Sequence, residues 1–244
     1  MKEELELEKG YKLITFEDSD KNIVRTLFTG SSYQSVTYTD EKKYLLYDKF
    51  TNLYKLCDTH KENIENCLVL GGGGFSYPKY FISRYKNRYM DVVEIDHYMV
   101  EIARKFFFLD ELYEKYDKEK SRLNIYEEDA FTYIEKCNKK YDSILIDLFI
   151  DNEPIYSMFE KESLKNIKKL TKYDTLVVIN YIITKEDKNH SIFNKVISNL
   201  KDSFKDVGVV ALPSYKEKNR GNVLILCSDK DIDVKVDIEV IVLE

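Results

Sequence analysis

A chain of 244 residues, 43% of them hydrophobic, is long enough for one large domain with a small appendage, and its 20 Tyr and 13 Phe exclude disorder by composition. Eight Gly and three Pro exclude collagen-like and low-complexity classes. The formal net charge of −6 argues against a general nucleic-acid binder and suits a cationic small molecule drawn to an acidic cleft, although the same charge also serves plain solubility.

The first residues are acidic and lack an apolar core segment, so no signal peptide is expected. Residues 11–16, 22–28 and 34–39 read as strands, with Gly30-Ser31-Ser32 as a turn between the last two. Residues 44–57 carry Leu46, Phe50, Leu53, Tyr54 and Leu56 at helical spacing, which predicts a helix. The polar stretch 58–66 marks a boundary between a small β-rich N-terminal domain, residues 1–60, and a main domain, residues 61–244. Strands at 67–70, 90–93, 123–126, 143–146 and 175–180 then alternate with helices at 77–85, 97–107, 130–137, 161–170 and 191–200. Two closing strands, 207–212 and 222–227, follow. This alternation predicts an α/β fold with a doubly wound, mostly parallel, Rossmann-like sheet. The tail 231–244 alternates charged and β-branched residues and is left unplaced. The longest apolar stretch, 175–183, is about half a membrane span, so the expectation is a cytoplasmic protein without membrane or nucleic-acid partners. Cys57, Cys67, Cys137 and Cys227 form no CxxC pair and read as buried thiols. His60, His97 and His190 lack partners at metal or catalytic spacing, and no metal is expected.

The chemistry gathers at strand ends. Gly71, Gly72, Gly73 and Gly74 follow the first main strand, where a turn without side chains lets backbone N–H groups approach a ligand. Glu94 ends the second strand some 20 residues on, the distance at which an acid accepts hydrogen bonds from both ribose hydroxyls. Asp129, before Ala130, follows the third strand, and Asp147 ends the fourth. Three acids at successive strand ends point into one crevice. Together they describe a nucleoside site with glycines under the cofactor's tail, Glu94 on the ribose and Asp129 near the adenine amino group. Asp151 and Glu153 are candidates for a cationic acceptor, weighed evenly against a solvated loop before Pro154. Tyr77, Tyr156 and Tyr181 read as packing residues near the pocket.

This layout resembles the class I AdoMet-dependent transferases, and more closely the spermidine synthase family. Leu68-Val69-Leu70-Gly71-Gly72-Gly73-Gly74 is similar to that family's strand and GGGDGG loop, and Val93-Glu94-Ile95-Asp96 to its VEID segment. Glu128-Asp129-Ala130-Phe131 resembles its GDA segment, and Tyr141-Asp142-Ser143-Ile144-Leu145-Ile146-Asp147 its YDVIIxD strand. Tyr33-Gln34-Ser35 and residues 44–48 resemble its small β domain and linker. The resemblance covers about residues 20–180. It implies S-adenosylmethionine or decarboxylated S-adenosylmethionine as donor, a small cationic amine as acceptor and a homodimer. It also implies Gln34 and Tyr47 near the entrance, and Asp147 as the acid that takes a proton from the attacking amine. The chain departs from the pattern at Gly74, where the family loop has Asp, which makes intact S-adenosylmethionine more acceptable. It departs again after Asp147, where Leu148, Phe149 and Ile150 delay the second acid to Asp151, and at Asp48, where the family often has His or Gln. Aminopropyl and methyl transfer both stay open. So do a methyltransferase acting on another small molecule, a protein or a nucleic acid, and a non-catalytic homologue that keeps the fold.

Overall fold

A computed structural model describes residues 2–150, 153–212, 221–233 and 241–243. The N-terminal part is a four-stranded antiparallel meander of β1 (Lys2–Glu6), β2 (Tyr11–Glu17), β3 (Ile23–Thr29) and β4 (Ser32–Tyr38). Strand β1 is exposed along its whole length, and its charged residues carry no apolar alternation that would announce a strand. It is held by its backbone ladder to β2 and by the Lys12–Glu4 ion pair at 2.8 Å.

The helix expected over 44–57 does not form. Two 3-10 turns, Glu41–Tyr44 and Thr51–Lys55, and the single-turn helix α1 (Leu56–Thr59) replace it. The reason is local competition for backbone groups. Asp48 Oδ1 accepts from the Thr51 N–H at 2.8 Å, and Asn52 Nδ2 donates to the Asp48 carbonyl at 2.7 Å. The apolar residues still reach the core, with Leu53, Tyr54 and Leu56 buried.

The main sheet is built from β5 (Asn66–Leu70), helix α2 (Ser76–Arg84), β6 (Tyr89–Val93), helices α3 (His97–Phe106) and α4 (Leu109–Tyr116) and β7 (Leu123–Tyr126). Helix α5 (Ala130–Lys136), β8 (Tyr141–Ile146), the small hairpin β9 (Phe149–Ile150) and β10 (Glu153–Pro154), α6 (Lys161–Lys169) and β11 (Thr171–Ile183) follow. Helix α7 (Ser191–Ser203), β12 (Asp206–Ala211), β13 (Gly221–Ser228) and β14 (Ile241–Leu243) complete it. The eight strands run in the order β14-β12-β13-β11-β8-β5-β6-β7. The pairs from β11 to β7 are parallel, and those from β11 to β14 antiparallel. The tail thus supplies an edge strand through β14. Helix α4 has no counterpart in the sequence reading, although Leu109, Leu112 and Tyr113 set one helical face into the core.

Each face of this sheet carries a hydrophobic core. One gathers Phe75, Phe81, Val92, Met99 and Ile102 and continues into the small sheet through Leu13 and Leu27. The other gathers Ile144, Ile146, Leu164, Ile167 and Val177. The cysteines are free, with Cys57, Cys67 and Cys227 buried and Cys137 half-buried. Among the described residues, no helix is long and apolar enough to cross a membrane.

From β5 the chain steps outward to β6 and β7, then returns to β8 on the other side of β5. That reversal opens a crevice beyond the carboxyl ends of β5 and β8, where an open α/β sheet presents ligand sites.

Candidate functional site

The crevice holds a cavity of about 1180 Å³, closed on one side by the small sheet and the 44–54 segment. Gly71, Gly72 and Gly73 line it, together with Glu94, Asp129, Ala130, Asp147, Gln34 and Tyr47. The structure therefore brings together the strand-end acids and the two entrance residues named from the sequence. Asp151 lies outside the described residues. Glu153 is exposed on β10, and Tyr156 and Tyr181 pack on each other at 6.3 Å between ring centroids.

Gly71 is required where it stands. Its φ is +93°, and a Cβ there would lie 2.1 Å from the Asp147 carbonyl oxygen. This close crossing lets Asp147 N–H donate to the Leu70 carbonyl at 2.8 Å and fixes the two strand ends side by side. The next two loop N–H groups are already engaged. Glu94 Oε2 accepts from Gly72 at 2.9 Å and Gly73 at 3.0 Å, while Oε1 accepts from the Asp96 N–H at 3.0 Å. Glu94 thus braces the loop as well as facing the cavity. Asp129 caps α5 through Thr132 N–H at 2.9 Å, which orients its carboxylate at the mouth of the helix.

Gly74 sits behind the lining and is buried. Its N–H donates to Ser35 Oγ at 2.7 Å, and a Cβ would meet Phe107 Cδ1 and Ser35 Cβ at 2.8 Å. Three successive residues of β4 in fact grip the loop and α2. Ser35 takes the Gly74 N–H, the Val36 carbonyl accepts from Ser76 Oγ at 2.8 Å, and Thr37 Oγ1 accepts from Lys79 Nζ at 2.9 Å.

Asp147 stands at the centre. Tyr54 donates its hydroxyl to Asp147 Oδ2 at 2.9 Å, and Asn180 Nδ2 donates to Oδ1 at 2.8 Å. Burial pushes the Asp147 carboxyl above its ordinary range, and the Glu94 charge adds to the rise, while the two hydrogen bonds oppose it. Burial and the Asp147 charge hold the Tyr54 hydroxyl protonated, well above its ordinary range. Toward the small sheet, Tyr47 donates to Asp18 Oδ2 at 3.1 Å, and Asp48 joins Tyr33, Phe50 and Thr51 on the wall.

Ser35, Tyr54, Asn180 and Asn222 are site residues that the sequence reading missed. An amide inside the apolar run of β11 was a visible signal for Asn180. The other three carry none, because they act across elements far apart in the chain. The charge of the lining stands out. Asp48, Glu94, Asp96, Glu128, Asp129 and Asp147 face the cavity, and among the described residues no Lys, Arg or His does. No group of side chains suited to a metal ion occurs among the described residues.

The spermine/spermidine synthase domain matches residues 51–237. A polyamine aminopropyltransferase of Methanocaldococcus jannaschii is 29% identical over 154 residues, 63% of this chain and 49% of that protein. One of Vibrio vulnificus is 25% identical over 182 residues, 73% of this chain and 58% of that one. The chain spans about half the length of these curated relatives. In structure it resembles a probable spermidine synthase from Corynebacterium glutamicum, with a TM-score of 0.74 at 18% identity, covering 95% of this chain and 81% of that one. It also resembles human methyltransferase-like protein 13 solved with SAH, with a TM-score of 0.58 at 20% identity, covering 76% and 79%. Both likenesses support the class I Rossmann-like fold. With the matched domain extending over most of its length, the chain belongs to the spermine/spermidine synthase family.

Proposed function

We propose that the protein transfers an aminopropyl group from decarboxylated S-adenosylmethionine to a small cationic amine. The observation that carries this reading is the lining: six carboxylates and, among the described residues, no basic side chain. A sulfonium donor with a free ammonium and an amine acceptor are both cationic, and an acidic, partly closed cavity concentrates them. Glu94 would take the ribose and Asp129 the adenine, as their strand-end positions suggest.

The transfer forms a bond from the amine nitrogen to the methylene next to sulfur. The C–S bond breaks with its electron pair going to sulfur, which leaves neutral methylthioadenosine. The amine must be neutral to attack, yet a primary amine has a pKa of about 10. Asp147, at the carboxyl end of β8, would orient the amine and accept its proton. Its burial favours this role, because a carboxylate raised above its ordinary range holds an accepted proton more firmly.

Methyl transfer from intact S-adenosylmethionine is the second reading, favoured by the missing acid at Gly74. The loop geometry weighs against it. The N–H groups of Gly72, Gly73 and Gly74 already have acceptors in Glu94 and Ser35, so a donor carboxylate would meet acids and, among the described residues, no cationic side chain in the lining.

Calorimetric titration with decarboxylated S-adenosylmethionine, intact S-adenosylmethionine and methylthioadenosine tests the proposal, followed by transfer assays on a panel of amines. The decarboxylated donor should bind at least ten times more tightly than the intact one, a difference of about 1.4 kcal/mol. Preference for the intact donor would replace the proposal with methyl transfer. Binding to none of the three would point to a non-catalytic homologue.

A further inference from the structure

The hydrogen bonds on Asp147 do not end at their first partners. Asn222 Nδ2, on β13, donates to Asn180 Oδ1 at 3.0 Å. Asn180 Nδ2 donates both to Asp147 Oδ1 at 2.8 Å and to Tyr54 Oη at 2.9 Å. Tyr54 passes its own proton toward Asp147 Oδ2 at 2.9 Å. Every donor in this chain points toward the carboxylate.

The direction depends on Asn180. An amide side chain offers two donors on one side and an acceptor on the other. With the amide turned over, its carbonyl oxygen would face the Asp147 carboxylate, acceptor against acceptor. Asn222 selects the productive orientation, because its NH2 group holds the Asn180 carbonyl on the far side. Asn222 itself is exposed, opposite Ile182 in the antiparallel ladder between β11 and β13.

We infer that Asn180 and Asn222 are positioning residues for Asp147: Asn222 locks the Asn180 amide with its donors inward, and Asn180 holds the carboxylate in place through the hydrogen bond it donates. This inference rests on the role proposed for Asp147. The groups facing that carboxylate are Tyr54 from the turn before α1, Asn180 from β11 and Glu94 from the end of β6, with Asp48 acting on Tyr54 from behind. Burial and Glu94 raise the carboxyl; Asn180 and Tyr54 are the opposing donors. If the lock is removed, Asn180 can turn over and the carboxyl titrates higher. At neutral pH a larger fraction is then already protonated and unable to take a proton from the amine.

The test is a carbon-13 NMR titration of the aspartate carboxyls in the full chain, with Asp147 identified by the signal that Asp147→Asn removes. Asn222→Leu removes the lock at an exposed position without adding charge. Its Asp147 midpoint should rise by about half to one pH unit relative to wild type, and Asn180→Leu should raise it further. In amine-transfer assays the acid limb of the rate profile should move by the same amount. A purely structural role would lower the rate equally at all pH values. An Asp147 midpoint that stays in place in Asn222→Leu overturns the inference. Wild-type protein that transfers nothing overturns the proposed function instead, and the titration still decides whether the two amides control the ionisation of Asp147.

Discussion

Asp147 owes its charge state to burial on one side and two donated hydrogen bonds on the other. Asp147→Asn is nearly isosteric and should leave nucleoside affinity intact while lowering turnover by about 10²- to 10⁴-fold, as measured by calorimetry and amine-transfer kinetics. Gly71 is equally exacting for a steric reason. Gly71→Ala would push a methyl group into the Asp147 carbonyl at a positive φ, so urea denaturation should show a loss of at least about 2 kcal/mol. Lys79 is a buried cation whose hydrogen-bond acceptor is a hydroxyl rather than an acid, and burial lowers its pKa to about 7. The unfolded chain keeps that proton up to about pH 10.5, while the folded chain releases it near 7. Between these values the unfolded state binds more protons, so stability rises with pH: the cost of the buried charge is fully present below 7 and is relieved toward 10.5. Lys79→Met should therefore be more stable than wild type at pH 6, by roughly 2–4 kcal/mol, with the gap closing toward pH 10. A gap independent of pH would show that Lys79 stays charged in the fold.

The contact between β4 and the glycine loop decides what the loop can accept. Gly74→Asp would supply the acid seen in the family pattern, yet its Cβ meets Phe107 and Ser35 at 2.8 Å. The variant should lose stability and bind the donor more weakly, with Ser35→Gly in the same chain recovering part of both; thermal shift with methylthioadenosine reads the two together. The strands of the main sheet were legible because fully buried parallel strands read as short apolar runs. The strand-end acids were legible because each follows such a run. The linker was misread because the apolar spacing of Leu46, Phe50 and Leu53 is helical, whereas Asp48 and Asn52 divert the backbone hydrogen bonds. Strand β1 was invisible, since a charged edge strand is specified by its partner rather than by its own pattern. Tyr54, Asn180 and Asn222 meet only when β11, β13 and the linker are assembled, so no local signal announces their union.

Taken whole, the cavity is lined by six acids and, among the described residues, by no basic side chain, so the net charge of −6 understates the local field. A field of this kind is screened by salt over about 8–10 Å at physiological ionic strength. The association rate of a cationic donor should fall several-fold between 0.02 and 0.5 M salt, while that of neutral methylthioadenosine stays nearly constant. Stopped-flow binding of the two ligands makes the comparison; equal salt dependence would mean that the acids do not steer the donor.

The grip of β4 on the loop has a consequence for portability. The matched family domain begins at residue 51, after β4 has ended. Transplanted from that residue onward, it would carry its glycines and all but one of its lining acids. It would leave the Gly74 N–H and the Lys79 ammonium without the acceptors that β4 supplies. A host chain could receive it only by offering a strand with a hydroxyl, a free carbonyl and a second hydroxyl at consecutive positions, the pattern that Ser35, Val36 and Thr37 present.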